Sequence, residues 1–149
     1  MNNVRNISGT DTEILEDIAA LEEDIFEDAW SQKEIAGTVE QKTAFCRCIY
    51  CDDEVAGYFL CYHVLDECEI ARIAVKKEFR RQGIGQQLFD EMVRGCNEMG
   101  VSRILLDVRA GNVPAISFYE KNGFAVDGIR RDYYGGDIPE DAILMSRTV

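Results

Sequence analysis

The sequence predicts a mixed α/β domain whose central sheet is mostly antiparallel. Three observations lead there: apolar residues recur at helical spacing in separated segments, β-rich stretches lie between those segments, and one strand–helix–strand run calls for a right-handed parallel crossover. At 149 residues the chain is of a length that buries most of its apolar surface in one unit, so a single domain over residues 1–149 is expected.

A short apolar start at Val4 to Ile7 precedes Thr10 and Glu13, which form a capping-box pattern. Ile14, Leu15, Ile18, Leu21 and Ile25 then recur at helical spacing, placing a first helix over about Asp11 to Phe26. Ser31 with Glu34 repeats the capping signal for a short second helix ending near Gly37. Thr43–Tyr50, Val55–Leu65 and Cys68–Val75 read as strands in a meander, the first two joined by a polar hairpin turn at Cys51 to Glu54. Ile84, Leu88, Met92 and Cys96 line one face of a third helix that stops at Gly100, and Ile104–Val108 is a compact strand. Asn112 caps a fourth helix that runs to about Asn122, tolerates Pro114 in its first turn and ends at Gly123. Phe124–Tyr133 and Ala142–Ser146 close the chain as strands around a Gly135-Gly136 loop.

Composition narrows the function. No segment approaches the roughly 20 apolar residues that span a bilayer, and the first nine residues hold no apolar core of a secretory signal, so a cytoplasmic protein is expected. Its cysteines therefore read as reduced thiols. Cys46, Cys48 and Cys51 resemble half a metal site, but no second pair accompanies them and His63 is the only histidine, so no metal is expected. A net charge of −12 would repel a phosphate backbone, arguing against nucleic acid and favouring a cationic acceptor, although charge that serves only solubility accounts for most of these carboxylates equally well. Between Asp11 and Asp28 lie nine acidic residues and no basic one, whereas Lys76, Lys77, Arg80 and Arg81 cluster elsewhere.

That basic turn, Arg80-Arg81-Gln82-Gly83-Ile84-Gly85-Gln86, lies between a strand and a helix whose first N–H groups lack internal partners. Its glycines allow close approach of an anion, and the helix dipole with the arginines favours a diphosphate. The turn lacks the third glycine of a dinucleotide fingerprint and the Gly-Lys-Ser/Thr ending of a P-loop. On these residues alone, a glycine-eased turn with solvated charges is an equal alternative.

The surrounding residues extend the pattern. Following Ile73-Ala74-Val75, this turn resembles the acetyl-CoA signature of the GNAT superfamily. Leu106-Asp107-Val108-Arg109-Ala110-Gly111-Asn112, Ala115-Ile116-Ser117-Phe118-Tyr119-Glu120-Lys121-Asn122-Gly123-Phe124 and Ile129-Arg130-Arg131-Asp132-Tyr133-Tyr134 follow in the family's order. Together they resemble the bacterial ribosomal-protein-alanine N-acetyltransferases over nearly the whole chain. The resemblance implies a sheet of about seven strands flanked by about four helices, with two central strands splayed apart at the cofactor site. It implies acetyl-CoA as co-substrate, held by backbone groups of Ile73, Ala74 and Val75, by residues 80 to 86, and by Asn112 near the thiol end. It further implies a protein N-terminus as acceptor, a ribosomal protein starting with alanine, received between Tyr133, Tyr134 and the loop holding Trp30.

By the same resemblance the family's catalytic glutamate falls on Asp107, one methylene shorter and so suited to a relaying water. Glu69 matches the base of related lysine acetyltransferases, and Tyr119 matches the tyrosine that protonates the departing thiolate. Each has a plain structural alternative: ion pairing with Arg103 or Arg109 for the carboxylates, core packing for Tyr119, capping for Asn112, and ordinary strand positions for Ile73, Val75, Tyr133 and Tyr134. Ala29 stands where the family shows proline. Two rival functions remain open, a GNAT enzyme acting on a polyamine, an amino sugar or a lysine side chain, and a non-catalytic acyl-CoA-binding regulator.

Overall fold

The apolar stretches assemble as the patterns require, in a computed structural model that describes residues 3–149. Strand β1 (Asn3–Asn6) precedes helices α1 (Thr12–Ile25) and α2 (Gln32–Val39), and β2 (Ala44–Cys51), β3 (Glu54–Val64) and β4 (Glu67–Val75) form the meander. Helix α3 (Ile84–Glu98) crosses to β5 (Arg103–Arg109), and α4 (Val113–Lys121), β6 (Ala125–Tyr134) and β7 (Glu140–Thr148) complete the chain. The strands form a seven-stranded sheet in the order β1-β2-β3-β4-β5-β7-β6, in which β4–β5 is the parallel pair.

Local chemistry sets the boundaries. Asp11, not Thr10, caps α1, accepting from the Ile14 N–H at 3.4 Å. Thr10 instead shares a hydrogen bond with the Ser8 hydroxyl at 3.0 Å, leaving the charged carboxylate to meet the helix terminus. The Ser31–Glu34 capping box is present in both directions, at 3.1 and 3.2 Å. Helix α2 continues past Gly37 to Val39 because Thr38 is buried and bonds the Tyr62 hydroxyl at 3.2 Å, a tertiary contact that outweighs glycine's weak helix preference. At the β2–β3 hairpin, Asp52 (φ 53°) and Asp53 (φ 65°) both take the left-handed conformation that a two-residue turn needs. Strand β7 outruns the expected Ala142–Ser146 because it is paired on both edges, with β5 and with β6.

Each face of the sheet has its own core. Phe59, Leu88, Phe89, Met92, Ile104 and Met145 pack beneath α3 and α4, and Ile14, Ile18, Ile35, Tyr58 and Leu60 pack against α1 and α2. Gly57 permits the first of these, since a side-chain carbon there would come within 2.9 Å of both the Ala74 carbonyl and Leu88.

Two irregularities make the site. Between β3 and β4, Leu60 pairs with Arg72 and Cys61 with Ile70, so Ala71 is an extra residue and Arg72 swings onto the α1 face. Strands β4 and β5 pair only from Glu67–Ile70 to Arg103–Leu106, and beyond that point they part. This is the splayed pair that the family resemblance implies.

Candidate active site

A cavity of about 190 Å³ opens where β4 and β5 separate, and Ile73, Asp107, Asn112, Tyr119 and Tyr134 line it. The chain thus brings together residues from four elements that sequence reasoning had singled out. Glu69, Trp30 and Tyr133 do not line it. Glu69 is exposed on the still-paired part of β4, opposite Tyr62 and Leu105, because the strands have not yet parted at its level. Trp30 packs instead against the Arg72 guanidinium at 5.1 Å. Tyr133 is 49% exposed and leans edge-on against Tyr134, so Tyr134 alone of the pair faces the cavity.

Asp107 is half-buried on β5, one residue past the last β4 partner. Both cations named as alternative partners for it are engaged elsewhere, Arg103 with Glu67 (3.3 Å) and Asp127 (3.4 Å) and Arg109 with Glu140 (3.3 Å). Among the described residues its carboxylate has no ion pair, which leaves its lone pairs open to the cavity. Glu140 also accepts from the Gly111 N–H at 2.8 Å, and Arg109 stacks at 4.1 Å over the Tyr134 ring, so this cluster fixes one wall. Burial, and then the neighbouring Asp107 charge, pushes the Tyr134 phenol above its ordinary pKa.

Tyr119 is 7% exposed, with Phe118 and Phe124 at 5.8 and 5.5 Å between ring centroids. Burial raises its pKa strongly, so the phenol keeps its proton at neutral pH. Among the described residues its hydroxyl has no hydrogen-bond partner, yet no fully buried side-chain oxygen or nitrogen lacks one. Its oxygen is therefore the accessible part of an otherwise enclosed ring. Asn112 does two things at once, accepting from the Ala115 N–H at 3.3 Å as the cap of α4 while lining the cavity.

Beyond the cavity, a 3-10 turn at Lys77–Phe79 leads to the glycine turn. Gly83 has φ +79° and Arg81 φ 64°, and the first bond into α3 runs from the Gln87 N–H to the Gly83 carbonyl at 3.0 Å. The N–H groups of Gly83 to Gln86 consequently have no acceptor in the helix. A side-chain carbon on Gly85 would sit 3.7 Å from Val75 and Phe118, so the bare glycine leaves open space beside the end of β4. Arg80 and Arg81 are exposed and free of ion pairs among the described residues; Arg80 donates through Nε to the Val75 carbonyl at 3.3 Å. The Gln82 and Gln86 amides are occupied by Glu78, Asp90 and Asn122, so backbone groups and the two guanidiniums are what this turn offers an anion. That donor set fits a diphosphate.

Sequence reasoning missed Glu22 and Arg72. Glu22 is 0% exposed, accepts from Arg72 Nη2 at 2.5 Å and Nε at 3.0 Å, from the Trp30 N–H at 3.0 Å and from the Tyr58 hydroxyl. The signal was present: Glu22 falls on the buried Ile18–Ile25 stripe of α1, and Arg72 interrupts the apolar run Ile70 to Val75.

The comparisons with known proteins meet this geometry. The profile of the acetyltransferase (GNAT) family matches residues 11–124. The chain belongs to the GNAT family. A ribosomal protein bS18-alanine N-acetyltransferase of Salmonella typhimurium is 36% identical over 118 residues, 78% of this chain and 79% of that protein. A Bacillus subtilis protein provisionally given the same name is 41% identical over 98 residues, 66% of this chain, and the match spans 64% of its length. The crystal structure of the ribosomal-protein-S18-alanine N-acetyltransferase from Escherichia coli superposes with a TM-score of 0.91 at 31% identity, covering 100% of this chain and 94% of that one. In this GNAT chain no described group of His, Cys, Asp or Glu is arranged to hold a metal, and no described helix is long and apolar enough to cross a membrane. Cys46 and Cys48 are buried thiols pushed up to about 11 by desolvation.

Proposed function

We propose that this GNAT protein moves the acetyl group of acetyl-CoA to the N-terminal α-amine of a protein, and that the acceptor is a ribosomal protein starting with alanine, met in the cytoplasm. The observation that carries this reading is the pairing, in one gap between parted strands, of an unpaired carboxylate at Asp107 with a protonated phenol at Tyr119. Relatives named for that acetylation, one of them with a structure superposing over the whole chain, support it.

Acetyl-CoA supplies a thioester already activated for acyl transfer. The N–H groups at Gly83 to Gln86 with Arg80 and Arg81 hold its diphosphate, the free edge of β4 at Ile73 to Val75 bonds its linear arm, and Asn112 lies toward the thiol end. An α-amine with a pKa of about 7.7 to 8.0 is far easier to deprotonate than a lysine at about 10.4, so a carboxylate suffices as base. Asp107 takes the ammonium proton, through one water where its short side chain does not reach. The amine attacks, the C–N bond forms as the C–S bond breaks, and Tyr119 gives its proton to the departing sulfur. The second proton shed by the nitrogen as it becomes an amide returns the Tyr119 phenolate to a phenol. Tyr134 and the Phe26–Trp30 loop wall the acceptor, and Glu69, outside the cavity, has no step.

Transfer to a polyamine, an amino sugar or a lysine is the second reading, favoured by Asp28, a second carboxylate lining the cavity. Steady-state turnover on an Ala-starting ribosomal peptide, beside spermidine and an aminoglycoside, separates the two. The peptide should exceed either small amine by at least about 100-fold in kcat/KM, a margin within reach of a site built around specific polar contacts. A preference for spermidine or the aminoglycoside would overturn the N-terminal assignment, and tight CoA binding without turnover on any amine would turn the reading to a non-catalytic regulator.

A further inference from the structure

Resting on the N-terminal acceptor proposed above, we infer that Arg72 is a specificity-determining residue, presenting a guanidinium N–H to the carbonyl oxygen of the acceptor's first residue. The bulge at Ala71 delivers Arg72 to the α1 side of β4, and the residue lines the cavity that Asp107 and Tyr119 share. Its side chain is only 11% exposed. Phe26 lies at 4.1 Å and Trp30 at 5.1 Å from the guanidinium carbon, and the charge is held by Glu22. Nε and Nη2 are spent on Glu22 and, at 3.1 Å, on the Asp28 carbonyl, whereas Nη1 has no partner among the described residues. Among the described residues no fully buried polar side-chain atom goes unpartnered, so Nη1 keeps exposed surface that a ligand can reach.

Charge selects what it binds. Asp28 and Asp107 also line the cavity, and Glu22 already balances the Arg72 charge, so an anionic ligand would meet net repulsion there. A neutral carbonyl takes the remaining N–H without that cost. A carbonyl two bonds from the reacting amine is what distinguishes an aminoacyl N-terminus from a polyamine or a lysine side chain. Glu22 and Tyr58 act through Arg72 as positioning residues. They hold its plane, and Glu22 also accepts from the Trp30 N–H, tying the acceptor loop to the same carboxylate.

The test compares an Ala-starting peptide with isopropylamine, which keeps the α-amine skeleton and lacks the carbonyl. Arg72→Met should lower kcat/KM on the peptide roughly 10- to 100-fold, the range for loss of a charge-assisted hydrogen bond, while leaving isopropylamine and the KM for acetyl-CoA within about twofold. Because Arg72→Met strands the buried Glu22 carboxylate, the double variant Glu22→Gln/Arg72→Met is measured alongside it and should show the same split. Equal losses on both acceptors, or no loss on the peptide, would overturn the inference. A wild-type protein that acetylated neither acceptor would instead remove the transfer reading. Arg72 is then judged by peptide affinity in the CoA-loaded protein, followed through the emission of Trp30, the single tryptophan of the chain. Equal affinity in wild type and variant would reject it.

Discussion

Tyr119 is enclosed by phenylalanines and holds its proton well beyond neutrality, so the oxygen is the only part of the ring that differs chemically from its neighbours. Tyr119→Phe keeps the packing and deletes that proton. Its kcat should fall by about 10²- to 10⁴-fold, the usual worth of a positioned acid, with the KM for acetyl-CoA nearly unchanged. Unaltered turnover would return Tyr119 to a packing role. At this scale the sequence was legible where a residue type stands in a continuous motif: Asp107, Asn112, Tyr119 and Tyr134 all reach the cavity. It was not legible where the partner lies far along the chain. Glu22 and Arg72 are 50 residues apart, and although each interrupts an apolar stretch of its own element, nothing local names the one as the other's partner. Trp30 and Tyr133 lie outside the cavity lining for a related reason, since a neighbour, Phe26 or Tyr134, takes the cavity side and its rotation about the backbone is fixed by packing.

Among elements, the glycine turn into α3 has the clearest link between backbone and ligand. Gly83 at φ +79° sits in a region that costs an L-residue energy, with nothing within 4 Å of an added side-chain carbon. Gly83→Ala is therefore strained rather than crowded and should cost about 1 kcal/mol in unfolding free energy. The same strain should weaken CoA binding by calorimetry, because relaxing φ turns the N–H groups away from the diphosphate. Normal stability with normal affinity would show that this turn grips nothing. Apart from β1, which the sequence showed only as a short apolar start and which is a strand by its pairing with β2, element types and order followed from apolar spacing and cap residues, as in the Ser31–Glu34 box and the Asn112 cap. Ends were set by tertiary contacts instead: Thr38 carries α2 past its glycine, and two paired edges lengthen β7.

For the molecule as a whole, the buried thiols make stability depend on alkaline pH. Cys46 and Cys48 keep their protons to about 11 in the folded chain, whereas an unfolded cysteine ionises near about 8.5. Between those values the unfolded state binds fewer protons, so the contribution is complete below about 8.5 and is lost as pH rises through about 11. Cys61, Cys68, Cys96 and Tyr58 are shifted in the same direction by burial or thiol contacts. Urea unfolding under reducing conditions should show stability falling steeply between pH 9 and 11, by an amount on the order of 2 to 3 kcal/mol per thiol. Cys48→Ala should flatten that slope, and a wild-type protein equally stable at both ends would contradict it.

The short parallel seam has a mechanical consequence. Only the stretch from Glu67 to Ile70 is stitched to β5, so the β1–β4 half of the sheet and the β5–β7–β6 half share a hinge rather than a continuous fabric. Whatever fills the gap above that hinge acts as a rivet. Deuterium uptake at the backbone amides of residues 71–75 and 107–109 should slow together when CoA is added, and at a hundredfold excess over Kd the ligand should add about 2.7 kcal/mol to the resistance of both halves at once.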